Sequence, residues 1–189
     1  MDTRRRPRYA AAMSGTAALD RFRLTPLSTA GFLIAFAATA TLAGAWFFEL
    51  VLGLPPCPLC LDQRVPYYIA VPLGLAVGLL ARNPSMTRYA RVGLAALGVA
   101  MLIGAGYGVY HSGIEWGFWE GPAACAAGGP AALPGDILSS LKSATRVVPC
   151  NEAAWRFLGL SLAGYNVLIA GALAALAFWA ILARPARSA

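Results

Sequence analysis

The sequence alternates between long apolar stretches and short polar segments. Four windows hold no charged residue, and each is close to or beyond the roughly 20 residues that a helix needs to cross a membrane. These windows are Leu27–Phe48, Val65–Ala81, Val92–Ile114 and Phe157–Ala183. None shows the period-two alternation of a strand, and open sheet edges cannot face lipid. The pattern predicts an all-α membrane protein, a bundle of four transmembrane helices.

The same pattern divides the chain into segments. We expect a polar N-terminal extension, poorly ordered, over residues 1–26, a transmembrane domain over 27–183 and a tail over 184–189. The predicted helices cover about 27–50, 63–82, 90–111 and 157–183, with loops at 51–62 and 112–156 on one side of the membrane. In the long loop, "DILSSLK" at 136–142 puts its apolar residues on one face, which predicts a short interfacial helix.

The charged residues indicate the orientation. The chain is 59% hydrophobic and 12% charged, with a net charge of +7. Of its 15 lysines and arginines, eleven lie in the N-terminal extension, the connection between the second and third helices, and the tail. Because positive residues stay cytoplasmic, both termini should face the cytoplasm and the two loops the periplasm. The sequence lacks the interleaved basic and aromatic surface of a nucleic-acid-binding protein.

All four cysteines lie in the two predicted periplasmic loops. Cys57 and Cys60 enclose only two residues, the spacing of a redox motif, whereas Cys125 and Cys150 are widely separated, which is typical of a structural bridge. A static staple or half of a zinc site remains an alternative for the close pair. Zinc is disfavoured, because no second close pair exists and the chain has one histidine. We therefore expect no metal site.

The surroundings of Cys125 favour more than a passive bridge. The segment "GPAACAAGG" consists of small residues with nothing to pack into a core, so we expect Cys125 to be mobile and accessible. A mobile cysteine near a second redox pair is the arrangement of a relay. Nearby aromatic residues predict a belt at the membrane interface; they are Trp116, Phe118, Trp119 and Trp155.

Two further residues, Arg64 and His111, are candidates for the site. Asp62 is a candidate cap for the second helix, which would put the Cys60 thiol near the positive helix end and favour its thiolate. If the helix begins earlier, Cys60 and Arg64 share a face at i, i+4. The alternative for Arg64 is an anchor to lipid phosphates. His111, near the end of the third helix, is either an interfacial anchor or a proton carrier.

In these residues and their spacing, the chain resembles the DsbB family of bacterial inner-membrane thiol oxidases. The resemblance covers nearly the whole chain: four helices, "CPLCLDQR" between the first two, two cysteines in a long outer loop, and "CNEAAWRFLGL" before the last helix. It implies a protein-disulfide:quinone oxidoreductase of the inner membrane, which uses ubiquinone or menaquinone and is linked indirectly to the respiratory chain.

The resemblance also implies roles for residues. Cys125 would be attacked by a periplasmic DsbA-like thioredoxin-fold protein, displacing Cys150, and the electrons would pass through Cys57 and Cys60 to the quinone. Arg64 matches the family's quinone-binding arginine, and His111 lies where the family has a histidine near that site.

The chain departs from the family pattern at two positions. Gln63 stands where the best-studied members have glutamate, which affects proton handling, and Pro58 lies inside the cysteine pair, which affects its redox poise. Two alternatives remain: a quinone-linked thiol enzyme of the vitamin K epoxide reductase kind, and a non-catalytic membrane scaffold or metal-binding protein.

Overall fold

The computed structural model describes residues 25–125 and 149–183, and this part of the chain is mostly helical. Four long helices follow one another: α1 (Pro26–Leu50), α2 (Pro58–Leu80), α3 (Thr87–Glu115) and α4 (Leu162–Leu182). Single 3₁₀ turns at Pro84–Met86 and Ala123–Cys125 and a two-stranded hairpin, β1 (Arg156–Phe157) with β2 (Leu160–Ser161), complete the described elements. The predicted interfacial helix at 136–142, the N-terminal residues 1–24 and the tail lie outside the described residues.

Side-chain caps define where the helices begin. Thr25 Oγ1 accepts a hydrogen bond from the Ser28 amide at the start of α1, and Ser161 Oγ accepts one from the Gly164 amide at the start of α4. Such caps satisfy amides that have no partner inside the helix. α4 begins at Leu162 and not near 157, because the hairpin precedes it and turns through Leu158 and Gly159 at positive φ.

The second helix begins at Pro58, earlier than the predicted start near residue 63. Cys57 has extended backbone angles and caps this helix, and proline suits the first helical position because its missing N–H needs no partner there. Asp62 is exposed in the second turn, so the prediction that it caps α2 is wrong. Cys60 therefore lies in the first turn of α2, one turn before Arg64.

The helices pack as a bundle in which each contacts its neighbour along the chain and α4 returns to α1. Glycines bring α1 and α2 close: a Cβ added to Gly31 would lie 2.7 Å from the backbone nitrogen of Gly78. Ser28 Oγ donates to the carbonyl of Gly78 at 2.8 Å across the same contact. Small residues at close helix contacts and hydrogen bonds between helices are typical of membrane bundles.

A second set of polar contacts joins α2, α3 and α4. The Tyr67 hydroxyl of α2 donates to Asn166 Oδ1 of α4 at 2.6 Å, and Asn166 Nδ2 donates to the Gly104 carbonyl of α3 at 3.1 Å. All three groups are buried. Neither lipid nor an apolar core offers hydrogen-bond partners, so these bonds supply the partners that the polar atoms would otherwise lack.

Three segments are long and apolar enough to cross a membrane: Pro26–Leu50, Pro84–Glu115 and Leu162–Leu182. α2 has 23 residues but is not among them. Its first two turns contain Asp62, Gln63 and Arg64, which lower its mean hydropathy. The described residues are thus mostly helical, as predicted, and three of the four predicted spans are long and apolar enough to cross a membrane.

Candidate functional site

The four cysteines meet in one buried cluster at the end of the bundle where α2 begins and α3 ends. Cys57, Cys125 and Cys150 are 3%, 6% and 0% exposed and pack with Leu59 and Ile114, while Cys60 packs against them. Cys57 is disulfide-bonded to Cys60 and Cys125 to Cys150, with Cα–Cα distances of 5.0 and 5.2 Å. The cluster thus brings together two pairs that are distant in the sequence.

The burial of Cys125 differs from the expectation of an accessible cysteine. It ends a 3₁₀ turn in which its amide donates to the Pro122 carbonyl at 2.8 Å. Its disulfide to Cys150 holds it against Ile114, so the small neighbours that suggested mobility do not leave it exposed. Residues 126–148, which contain the rest of the glycine-rich segment, lie outside the described residues.

The close pair is built into the start of α2. Cys57 Sγ accepts a hydrogen bond from the Cys60 amide at 3.1 Å, so a sulfur takes the place of the usual capping oxygen. The positive end of the helix dipole stabilises negative charge at such a position. The arrangement therefore favours a thiolate when the disulfide is opened, which is the species that exchanges disulfides.

His111 is buried beside Cys57. It is 3% exposed, and its Nε2 lies 3.7 Å from Cys57 Sγ. On the other side of the ring, Gln63 Nε2 lies 2.8 Å from His111 Nδ1. This burial argues against the interfacial anchor that the sequence left open.

Glu115, which the sequence did not single out, faces the same histidine. Its Oε1 lies 3.8 Å from His111 Nε2, one helical turn along α3, and both side chains are nearly inaccessible. Within the described residues its Oε2 and the Ser112 hydroxyl have no hydrogen-bond partner. The i, i+4 spacing in "HSGIE" is the signal that could have indicated this pair.

Arg64 makes an ion pair that the sequence also did not reveal. Its Nη1 lies 2.6 Å from Glu49 Oε2 in the last turn of α1, and the two side chains are 13% and 31% exposed. Arg64 is therefore held at the end of the bundle where the cysteines lie, one turn after Cys60.

A cavity of about 610 Å³, here called the Arg64 cavity, opens between α1, α2 and α4. Cys60, Gln63 and Arg64 line it on the α2 side, and most of the remaining lining is apolar. Phe48 and Trp155 form an aromatic wall with ring centroids 5.0 Å apart. His111 is not among the residues that line this cavity, although its ring lies within 4.8 Å of the Cys60 sulfur and contacts Gln63, which does line it.

A second cavity, of about 590 Å³ and here called the Trp119 cavity, lies beside Cys125. Its lining includes Phe118, Trp119, Pro149 and Asn151, and it does not include Cys150. The Trp119 indole stacks on Tyr110 and donates to its carbonyl at 2.8 Å, which fixes the cavity wall. Each disulfide therefore has one sulfur that borders a cavity and one that borders neither.

The donor atoms of Cys57, Cys60 and His111 lie within 4.8 Å of one another. This is the spacing of metal ligands, but a sulfur ligand has to be a thiolate, and here both sulfurs are bound in a disulfide. A metal at this place would therefore require the reduced chain.

Comparison with known proteins gives the family. The family model described as "Disulfide bond formation protein DsbB" matches residues 28–180. Among relatives named "Disulfide bond formation protein B", that of Methylococcus capsulatus is 34% identical over 172 residues, covering 82% of this chain and 96% of the relative. Those of Xylella fastidiosa and Marinobacter nauticus are 32% and 29% identical, covering 77% and 80% of this chain and 83% and 90% of the relatives. No solved structure matches the chain.

The matched residues contain all four cysteines, Arg64 and His111 and run through the four helices. Together with three helices that are able to cross a membrane, the match identifies a membrane oxidoreductase that acts on disulfides. It confirms the resemblance seen in the sequence: the chain belongs to the DsbB family of disulfide bond formation proteins.

Proposed function

We propose that the chain is a thiol oxidase of the bacterial inner membrane, which reoxidises a periplasmic DsbA-like thioredoxin-fold protein and passes the electrons to a membrane quinone. The observation that carries this proposal is the placement of the sulfurs. Cys125 borders the Trp119 cavity, Cys60 borders the Arg64 cavity, and Cys57 and Cys150 are buried in the same cluster. A dithiol and an oxidant can thus act at separate places on one connected set of disulfides.

The proposal includes four membrane-spanning helices, with α2 as the fourth. Apolar side chains along α2 are exposed as on the other helices; Ile69, Leu75 and Leu79 are each about half exposed. Such a surface suits lipid, and the polar first turns would lie at the interface. The distribution of arginines supports cytoplasmic termini and a periplasmic sulfur cluster. The interfacial helix at 136–142 remains a prediction from the sequence.

Electrons would enter at Cys125. A thiolate of the partner attacks Cys125 Sγ, the bond between Cys125 and Cys150 breaks, and Cys150 leaves as a thiolate. Cys125 is the better target, because it borders the Trp119 cavity whereas Cys150 is fully buried. A second partner thiolate then closes the partner's own disulfide and releases Cys125.

The second exchange would take place inside the cluster. The Cys150 thiolate attacks Cys57, with which it is buried, and Cys60 leaves as a thiolate towards the Arg64 cavity. The released Cys125 thiolate then attacks Cys150, which re-forms the first disulfide, and Cys57 leaves as a second thiolate. Each exchange breaks one sulfur–sulfur bond and forms another, so the two electrons of the partner dithiol end on Cys57 and Cys60. The first turn of α2 stabilises the charge on the leaving sulfur.

The residues of the Arg64 cavity fit a quinone ring. The volume and the apolar lining with a few polar groups are those of a small-molecule site. When bound there, a ubiquinone or menaquinone would accept two protons and the two electrons that Cys57 and Cys60 give up as their disulfide re-forms, and it would become a hydroquinone. The Arg64 guanidinium would stabilise a negatively charged oxygen, and Phe48 and Trp155 would hold the ring. The respiratory chain would then reoxidise the hydroquinone.

Two other functions are less well supported. Enzymes of the vitamin K epoxide reductase kind carry the close cysteine pair by a different helix, whereas here it begins α2. A metal-binding protein is favoured by the proximity of Cys57, Cys60 and His111. Zinc analysis of the reduced, purified chain would distinguish it, because a metal-binding protein should retain about one equivalent.

The proposal is tested by adding a reduced periplasmic thioredoxin-fold dithiol protein to membranes that contain the chain and following quinone absorbance. We expect hydroquinone to form with the chain and not with its Cys125→Ser variant. Equal rates in the two preparations would contradict the proposed function.

A further inference from the structure

The side-chain amide of Gln63 lies between a backbone carbonyl and the ring of His111. Gln63 Nε2 is 3.3 Å from the Leu59 carbonyl oxygen, one turn earlier in α2, and 2.8 Å from His111 Nδ1. Gln63 is buried, with 6% of its surface exposed. An amide NH₂ group has two hydrogens, one for each of these partners.

The Leu59 carbonyl decides which way the amide faces. A carbonyl oxygen only accepts hydrogen bonds, so the Gln63 atom next to it must be the donor nitrogen. The reversed amide would put two acceptor oxygens 3.3 Å apart in a buried place, with no hydrogen between them. The second hydrogen of the same nitrogen then points to His111 Nδ1, which has to accept it.

An imidazole nitrogen that accepts a hydrogen bond carries no hydrogen, so in the neutral ring the hydrogen is on the other nitrogen. We propose that Gln63 is a positioning residue that holds His111 as the neutral tautomer with its hydrogen on Nε2, donating to Cys57 Sγ. This inference rests on the proposed function for its consequence in catalysis. The tautomer itself is argued from the contacts of Gln63, and the Cys150 backbone, which also hydrogen-bonds to His111, is a further acceptor for the ring N–H.

The groups on the Nε2 side suit a donor. Cys57 Sγ lies 3.7 Å away and a carboxylate oxygen of Glu115 lies 3.8 Å away. Both are acceptors. The Ser161 side chain and the positive charge of Arg156, both in the hairpin before α4, interact favourably with the carboxylate. Neither the sulfur nor the carboxylate oxygen requires a lone pair at Nε2.

The proposed tautomer gives His111 a defined task. A ring N–H donates more strongly to a thiolate than to a disulfide sulfur, so His111 would stabilise Cys57 whenever its bond to Cys60 is open. It would act as a hydrogen-bond donor and not as the base that removes the thiol proton. The same hydrogen occupies the position at which a metal would need a lone pair, which disfavours a metal between these three residues.

The test is nitrogen NMR of the full-length oxidised chain, labelled with ¹⁵N-histidine and purified through a tag without histidine. The chain has one histidine, so every imidazole signal belongs to His111. We expect a hydrogen on Nε2 and none on Nδ1. A hydrogen on Nδ1 of the unmodified chain, alone or on both nitrogens, would overturn the proposal, and this arm needs no variant to fold.

Two variants sharpen the test. Gln63→Glu replaces the donor by an acceptor and should move the hydrogen to Nδ1 or protonate both nitrogens, whereas Asp62→Asn, at the exposed neighbouring position, should leave the spectrum unchanged. An unchanged spectrum in folded Gln63→Glu would overturn the role of Gln63. Because this readout needs no turnover, the expected tautomer in a chain without quinone reduction would contradict only the proposed function.

Discussion

The guanidinium of Arg64 lies 2.6 Å from the carboxylate of Glu49 and ties the start of α2 to the end of α1 beside the Arg64 cavity. The charge proposed to stabilise a reduced quinone is therefore already partnered. An anionic quinone oxygen and Glu49 would compete for the same guanidinium group. Removing the charge of Arg64 and removing the charge of Glu49 should therefore have opposite effects on the apparent KM for quinone.

Replacing Arg64 with glutamine removes the positive charge while keeping a polar side chain of similar reach. We expect the apparent KM for quinone to rise about tenfold or more, since a hydrogen bond to a charged group contributes roughly 1.5–3 kcal/mol. The measurement is quinone reduction at saturating reduced partner over a range of quinone concentrations. An unchanged KM would leave Arg64 as a lipid anchor or as a structural partner of Glu49.

Replacing Glu49 with glutamine should have the opposite effect. The variant frees Arg64 from its ion pair, and such partly exposed pairs contribute roughly 0.2–1 kcal/mol, so we expect the quinone KM to fall by up to about fivefold. The same titration measures it. A rise similar to that of Arg64→Gln would mean that Glu49 holds Arg64 in place and does not compete with the quinone.

Replacing Cys60 with alanine should separate the two halves of the proposed relay. We expect quinone reduction to be abolished, while a mixed disulfide between the chain and its partner still forms, because Cys125 is untouched. Leu61→Ala, at the exposed neighbouring position, serves as the control and should turn over normally. Quinone reduction by the Cys60 variant would contradict the electron route.

Replacing Cys150 with serine should trap the partner. With its companion removed, Cys125 is a free thiol, and Cys150 is no longer there to displace a partner bound to it. We expect a covalent complex on a non-reducing gel with a periplasmic thioredoxin-fold protein that keeps one cysteine and carries it as a mixed disulfide with thionitrobenzoate, which Cys125 displaces as the leaving group. Combining Cys150→Ser with Cys125→Ser should abolish the complex. A complex that still formed in the double variant would mean that another sulfur of the chain reacts.

Replacing Tyr67 with phenylalanine tests the polar contact between α2 and α4. Hydrogen bonds between membrane helices contribute about 0.6 kcal/mol on average and up to about 1.7 kcal/mol, and we expect a loss near the upper value because the hydroxyl is buried at 2.6 Å from Asn166. Thermal unfolding in detergent measures it, with the exposed Tyr89→Phe as control. Equal effects of both variants would show that the bond is not stabilising.

The apolar pattern predicted the helices, and the spacing of Cys57 and Cys60 predicted a redox pair where a helix begins. The start of α2 at Pro58 was not predicted, because the cap is a cysteine side chain and cysteine is not among the usual capping residues. The burial of Cys125 was missed for a related reason. Its small neighbours describe only local flexibility, whereas the disulfide and Ile114 determine its position.

The contacts around His111 and Arg64 could not be predicted from one sequence. Gln63 and His111 are 48 residues apart, and Glu49 and Arg64 are 15 apart on different helices. Periodicity indicates the end of the bundle at which each residue lies, but it does not indicate which faces of two helices meet. The contact of His111 with Cys57, and its position behind Gln63 outside the lining of the Arg64 cavity, therefore required the packed structure.

The central claim is that electrons enter at Cys125 and leave at Cys60, and an anaerobic single-turnover experiment tests it most directly. Reduced partner protein is mixed with purified chain carrying bound quinone, and the partner disulfide and hydroquinone are quantified together. The account predicts one hydroquinone for each partner disulfide in the unmodified chain and none in Cys125→Ser or Cys60→Ala. Steady formation of partner disulfide without hydroquinone, or hydroquinone in either variant, would contradict it.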